Sequence, residues 1–169
     1  AGTLGFLWPN LARGFGGTIN LGDIETVSQS PELQGLTLSD GAPSYFPTAR
    51  TFVILNDPNL GFQNGSSSDG EGTVTNVTTM YQKCPHLGCK PNFCESNFWF
   101  ECACHGSRYD RLGIKVQELG PAPRSMDRFA HEVQDGQLIV DTGRIVLGPL
   151  PVALGQPGLI PARSPQGCI

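Results

Sequence analysis

The sequence predicts an all-β protein of antiparallel sheets with a small Cys/His-rich unit inserted between two groups of strands. Three observations predict it. Gly 22 and Pro 14 in 169 residues make up about a fifth of the chain, and both residues weaken or break helix interiors. Several short runs are rich in β-branched or aromatic residues and end at turn formers. Between two such groups of runs, five of the six Cys and two of the three His fall within a short window, from Cys84 to His105.

Taken in order, residues 1–22 are Gly-rich, with an aromatic patch at Phe6, Leu7, Trp8 and Pro9, and read as an irregular arm or hinge. Ser30-Pro31-Glu32-Leu33 can open one short helix, with Ser as its cap and Pro in its first position. Residues 51–55, Thr-Phe-Val-Ile-Leu, read as a buried strand that stops at the turn former Asn56-Asp57-Pro58. The Gly/Ser-rich stretch 65–72 has nothing to pack and reads as an exposed flexible loop. Residues 73–80 hold six β-branched residues and read as a strand, as do residues 97–102 with Phe98, Trp99 and Phe100. Residues 128–133 and 137–141 flank Asp135-Gly136, which predicts a hairpin. Thr142-Gly143 then leads into 144–147, extending the meander. Residues 148–169 contain five Pro and four Gly and are expected to lie extended over the surface rather than inside a sheet. The domain reading is an arm at 1–22, a base at 23–80 and 126–147, a Cys/His-rich unit at 81–125 and an extension at 148–169.

Composition excludes several classes of function. Charged residues are only 15%, and the formal net charge is −4, so the clustered Lys and Arg of a nucleic-acid surface are missing. No apolar run reaches the ~18 residues of a membrane-spanning helix. The first residues carry neither Met nor a basic leader segment, which reads as a mature or trimmed product.

The chemistry concentrates in two boxes, Cys84-Pro85-His86-Leu87-Gly88-Cys89 and Cys102-Ala103-Cys104-His105-Gly106-Ser107. Such clustering points to a metal site, a disulfide framework, or both. Structural zinc sites favour C-x₂₋₄-C and H-x₃₋₅-H spacings, which neither box matches well. A 2Fe-2S cluster with Cys on one iron and His on the other fits the residue count and the C-x-H pairing.

The two boxes resemble those of the Rieske iron–sulfur proteins, specifically the quinol-oxidising subunit of cytochrome bc₁ and b₆f complexes. That family's pattern is C-T-H-L-G-C and C-P-C-H-G-S, and this chain departs from it only at Pro85 and Ala103. Gly120, Pro121, Ala122 and Pro123 resemble the loop that covers the cluster in the family. The clear resemblance spans residues 81–125.

The resemblance implies roles residue by residue. Cys84 and Cys102 would hold the inner iron of one Rieske-type 2Fe-2S cluster, and His86 and His105 the outer one. Cys89 and Cys104 would form a disulfide tying the boxes together. That bridge stabilises by roughly 3 kcal/mol on the chain-entropy model and implies an oxidising compartment. Ser107 and Tyr109 would donate hydrogen bonds to a bridging sulfide and a ligand thiolate, favouring the reduced state. His105, His86, Leu87 and Gly88 would form the tip that meets a cytochrome b subunit. Two ferric ions, two sulfides and two thiolates sum to a formally neutral centre, whereas four thiolates would make it a dianion. This difference underlies Rieske potentials of about −150 to +300 mV, against about −400 mV for plant-type ferredoxins.

Other residues read more plainly. His131 alternates with Phe129 and Val133 in a predicted strand and reads as a structural histidine. Cys94 and Cys168 can pair or remain free, with unpaired as the default, since nothing in the sequence fixes their separation. The functional expectation is a one-electron carrier, not catalytic alone. It would take an electron and a proton from a quinol in a cytochrome b subunit and pass the electron to a c-type cytochrome, with no nucleic-acid partner. Relatives carry an N-terminal membrane helix that this sequence lacks. The chain therefore reads as the water-facing part of a protein anchored on the outer, periplasmic side of the cytoplasmic membrane. Two rivals are the Rieske subunit of a periplasmic oxidase such as arsenite oxidase, and a zinc-stabilised interaction module without redox chemistry.

Overall fold

The structure is a computed structural model and describes residues 15–23, 42–55 and 77–169. The expectations for residues 6–9, 30–33, 56–58 and 65–72 lie outside these residues. Nine strands are described: β1 (Thr18–Asp23), β2 (Ser44–Phe46), β3 (Thr51–Leu55), β4 (Val77–Tyr81), β5 (Asn92–Cys94), β6 (Trp99–Cys102), β7 (Ser107–Tyr109), β8 (Arg128–Gln134) and β9 (Gln137–Val146). They form a six-stranded sheet in the order β1-β9-β8-β4-β3-β2 and a three-stranded sheet in the order β5-β6-β7, antiparallel throughout. The fold is all-β, and the small sheet is inserted between β4 and β8 of the large one.

β3 shows why its sequence is continuously apolar. Successive side chains of a strand point to opposite faces. Phe52 and Ile54 join a core shared with Met80, Phe100, Tyr109 and Met126, while Val53 joins a second core with Val77, Tyr81, Phe129, Leu138 and Val140. The large sheet is thus buried on both faces here, so no polar alternation is expected. The first core lies between the two sheets and seats the small sheet against the large one. Buried polar groups of β4 are satisfied locally; Thr79 Oγ1 donates to the Phe129 carbonyl at 2.8 Å.

Asp135-Gly136 makes the hairpin turn between β8 and β9, both residues with positive φ (50° and 78°), as a type I′ turn requires. Residues 144–147 differ from expectation. They do not start a new strand: β9 runs on through a bulge, with Ala130 opposite Asp141 and Phe129 opposite Ile145. The arm reading also fails at its end, because Thr18–Asp23 pairs with β9 as an edge strand. Ile19 and Leu21 alternate with polar neighbours there, a period-2 signal obscured by the surrounding glycines.

Of the two alternatives for Cys94 and Cys168, the structure has the pair rather than the default of free thiols. Their sulfurs are bonded at 2.09 Å, because the C-terminal residues fold back along β5 and β6. A bridge with a sequence separation of 74 stabilises by about 4 kcal/mol on the chain-entropy model. The extension is also more than a surface cover. Leu159 is buried in the first core, and Val152 makes a parallel bridge with Val116.

Candidate metal centre

Each box is a short loop closed by its own backbone. Gly88 N–H donates to the Cys84 carbonyl at 3.0 Å, and Cys84 N–H to the Cys89 carbonyl at 2.7 Å. In the second box Gly106 N–H donates to the Cys102 carbonyl at 3.0 Å. The shared Cys-x₃-Gly spacing therefore makes two similar turns, one following β4 and one joining β6 to β7. The disulfide Cys89–Cys104 (S–S 2.09 Å) joins them. Cys102 Sγ lies within 4.8 Å of both bridge sulfurs, but those sulfurs are consumed by each other and offer no thiolate.

Inside the joined loops Cys84 and Cys102 remain as thiols, both buried. Burial pushes the Cys102 thiol above its ordinary value, and the neighbouring Cys84 adds to the rise. Burial thus disfavours the Cys102 thiolate; a cationic centre beside it would supply the compensation. On the outer side the Nδ1 atoms of His86 and His105 face each other at 3.3 Å, with the rings edge to face. Two thiols and two imidazoles thus converge in one place, soft donors inside and nitrogen donors outside. This donor set fits an iron–sulfur cluster with mixed ligation.

The surroundings are built from the same segments. Tyr109 Oη lies 3.1 Å from Cys84 Sγ. Burial holds its phenol far above the ordinary tyrosine value, with the Cys84 contact adding to it, so Tyr109 keeps its proton. Ser107 is fully buried and its Oγ accepts the Ala122 N–H at 3.0 Å. Gly120 has φ +79°, and a Cβ there would stand 2.3 Å from Ser107 N. Only glycine lets residues 120–123 press this closely on the second box. Leu87 is 73% exposed at the tip of the first box, a large apolar side chain beside the two imidazoles.

Some positions were not singled out from sequence. Lys115 is fully buried, and its Nζ donates to the carbonyls of Val116 and Leu119, pinning the turn that precedes Gly120. Burial lowers its amine from the ordinary value, while the Cys84 sulfur works in the opposite direction. Asp110 accepts the N–H groups of Leu112 and Ile114 through Oδ1, each at 2.9 Å, and of Ile160 through Oδ2. A single charge between Ile114 and Val116 was the available signal for Lys115, whereas Asp110, between Arg108 and Arg111, carried none. His131 stands on β8, away from the boxes. Its Nδ1 is 3.2 Å from Thr79 Oγ1, and burial lowers its imidazole to about 4. It is a structural histidine.

Residues 51–134 match the family model described as the Rieske [2Fe-2S] domain. Among curated proteins, the cytochrome b6-f complex iron-sulfur subunit of Synechococcus elongatus is 49% identical over 93 residues, covering 54% of this chain and 48% of that protein. The subunit of the same description from Trichodesmium erythraeum is 43% identical over 71 residues, covering 42% and 38%. The chain spans less than half the length of these relatives. Among solved structures, the plasma membrane Rieske protein of Synechocystis PCC 6803 aligns with a TM-score of 0.43 at 21% identity, covering 72% of this chain and 97% of that one. The all-β fold and the mixed Cys/His site define an iron–sulfur protein of the Rieske class. The chain belongs to the Rieske [2Fe-2S] family through residues 51–134, with a cluster-binding motif for one 2Fe-2S cluster. Among the described residues no helix is long and apolar enough to cross a membrane.

Proposed function

We propose that this chain is the electron-transfer subunit of a cytochrome b₆f/bc-type quinol oxidoreductase. Its site would consist of Cys84 and Cys102 on the inner iron and His86 and His105 on the outer one. The observation that carries this reading is the convergence of four donors in two disulfide-joined loops, with the imidazole pair on the outer side. The names of its relatives support the same reading. The segment 81–125 is the cluster-binding unit of this proposal, carried on strands from 23–80 and 126–147.

When bound, the cluster supplies a one-electron acceptor of high potential. The chain's own residues do the rest. With Cys84 as a thiolate ligand, Tyr109 would donate to its Sγ and favour negative charge there. Ser107 is placed to act likewise. Cys89–Cys104 and residues Gly120, Pro121, Ala122 and Pro123 hold the two boxes in register. His105, exposed at the tip, would accept the hydrogen bond of a quinol hydroxyl at a ring nitrogen and then take its proton. Leu87 and Gly88 would make the apolar contact with the cytochrome b subunit, beside His86. The electron would leave to a c-type cytochrome. Two disulfides favour the oxidising, periplasmic side of the membrane, where the whole protein would be anchored.

The protein as isolated is expected to hold two irons and two labile sulfides per chain and to give a Rieske paramagnetic resonance signal on reduction. His105→Ala should abolish that signal, and His131→Ala should keep it. A full signal in His105→Ala would sink the ligand assignment, and stoichiometric zinc in place of iron would sink the redox reading.

A further inference from the structure

β6 works with both faces. Its four residues are buried, and alternation turns Phe100 and Cys102 to one side and Trp99 and Glu101 to the other. Cys102 belongs to the metal centre. The opposite face is covered by the end of the chain. Trp99 Nε1 donates to the Ile160 carbonyl at 2.9 Å. Arg163 N–H donates to the Asn97 carbonyl at 3.0 Å, and its guanidinium lies 3.5 Å above the Phe98 ring. Ser96 Oγ donates to the Gln166 carbonyl at 3.0 Å.

Glu101 is the centre of this seam. It is 3% exposed. Its Oε2 accepts the N–H groups of Cys168 at 2.7 Å and Ile169 at 3.0 Å. Its Oε1 accepts from Asn97 Nδ2 at 2.7 Å and lies 3.4 Å from Arg108 Nε on the paired strand β7. A Cβ on Gly167 would stand 2.5 Å from Oε1, so a larger residue there would have to displace the hydrogen-bonded carboxylate. The Cys94–Cys168 bridge clasps the same segment to β5. A buried carboxylate that loses two of its donors is costly. Carboxylate and chain end therefore hold each other in place.

We infer that residues 160–169 form a strap behind β6 and that Glu101 is a positioning residue acting through it. The strap fixes β6 from its outer face and so sets the position of the adjacent Cys102, with Cys94–Cys168 as the clasp. The consequence for Cys102 rests on its reading as an iron ligand; the strap itself does not.

The test uses the full chain with Cys94→Ser and Cys168→Ser together, and separately Glu101→Gln and Gly167→Ala. Amide exchange at residues 99–102 and 168–169 should speed up about tenfold in each variant relative to the unaltered protein. In loaded protein, cluster loss should also be about tenfold faster, with Cys89–Cys104 intact by mass spectrometry. The g values of the reduced, folded Glu101→Gln protein should shift, whereas Val140→Ala in the large sheet, which only lowers stability, should leave them in place. Unchanged exchange at 99–102 in all three variants would overturn the strap. Faster exchange with unchanged g values and cluster lifetime would overturn the positioning role of Glu101. If the unaltered chain takes up no cluster, the ligand reading fails while exchange still decides the strap.

Discussion

At the position of Tyr109, one hydroxyl 3.1 Å from Cys84 Sγ connects packing to redox chemistry. Tyr109 is fully buried and held in its protonated form, so it would donate to the Cys84 sulfur once that sulfur is a thiolate ligand. Such a bond strengthens as the acceptor gains negative charge and therefore favours reduction. Hydrogen bonds to charged groups contribute about 1.5–3 kcal/mol, which for one electron is roughly 65–130 mV. Tyr109→Phe in the loaded protein should lower the reduction potential by that order while leaving iron content and fold intact. Protein-film voltammetry measures it directly. An unchanged potential would show that the hydroxyl has no net effect on the Cys84 sulfur.

Among the elements, the turn at 118–123 carries the clearest mechanical demand. Gly120 sits at φ +79° against the backbone of Gly106 and Ser107, and the Ala122 N–H reaches Ser107 Oγ two residues later. An alanine at 120 meets both a disfavoured backbone conformation and a backbone clash that no side-chain rotation relieves. Gly120→Ala should cost about 2–4 kcal/mol, read as a lowered denaturation midpoint, and should shorten cluster lifetime. A variant as stable as the unaltered protein would mean the turn moves away freely. The elements also show what the sequence made legible. The boxes were readable because their Cys and His residues, turn glycines and bridge cysteines are all close in the chain. β3 and the β8–β9 hairpin were readable because apolar runs and Asp-Gly act locally. The Cys94–Cys168 bridge was not, since it depends on the path of the chain from Gly148 to Cys168. Its fixing contacts come from Trp99 and Glu101 in the small sheet and from Asp110 just after β7, rather than from neighbours in sequence. β2, β5 and β7 have three residues each, too short for a period to register, and the β9 bulge replaced an expected extra strand because Gly143 reads as a turn.

Across the whole molecule, two buried titratable groups oppose each other in acid. His131, in the large sheet, is lowered to about 4 from 6.5 by burial. The unfolded chain therefore takes up a proton first, and stability is lost as pH falls from 6.5 to about 4. Asp110 lies at the junction of the small sheet and the C-terminal extension. Burial raises it from 3.8 to about 6 and outweighs its three backbone N–H donors. Its folded form takes up the proton first, so its contribution is full below 3.8, and is lost as pH rises through 6. Each shift is worth about 3 kcal/mol across its window, with opposite signs, so the two nearly cancel between pH 4 and 6. Asp110→Asn should uncover the histidine: relative to the unaltered protein, its stability should fall by about 3 kcal/mol more on going from pH 6.5 to 4. His131→Gln should do the reverse and gain by a similar amount over the same range. Because each variant is compared with the unaltered protein at each pH, the contributions of other groups cancel. Urea midpoints at pH 4, 5 and 6.5, with both disulfides intact, give the profiles. Parallel profiles for all three proteins would show that neither group changes its proton affinity on folding.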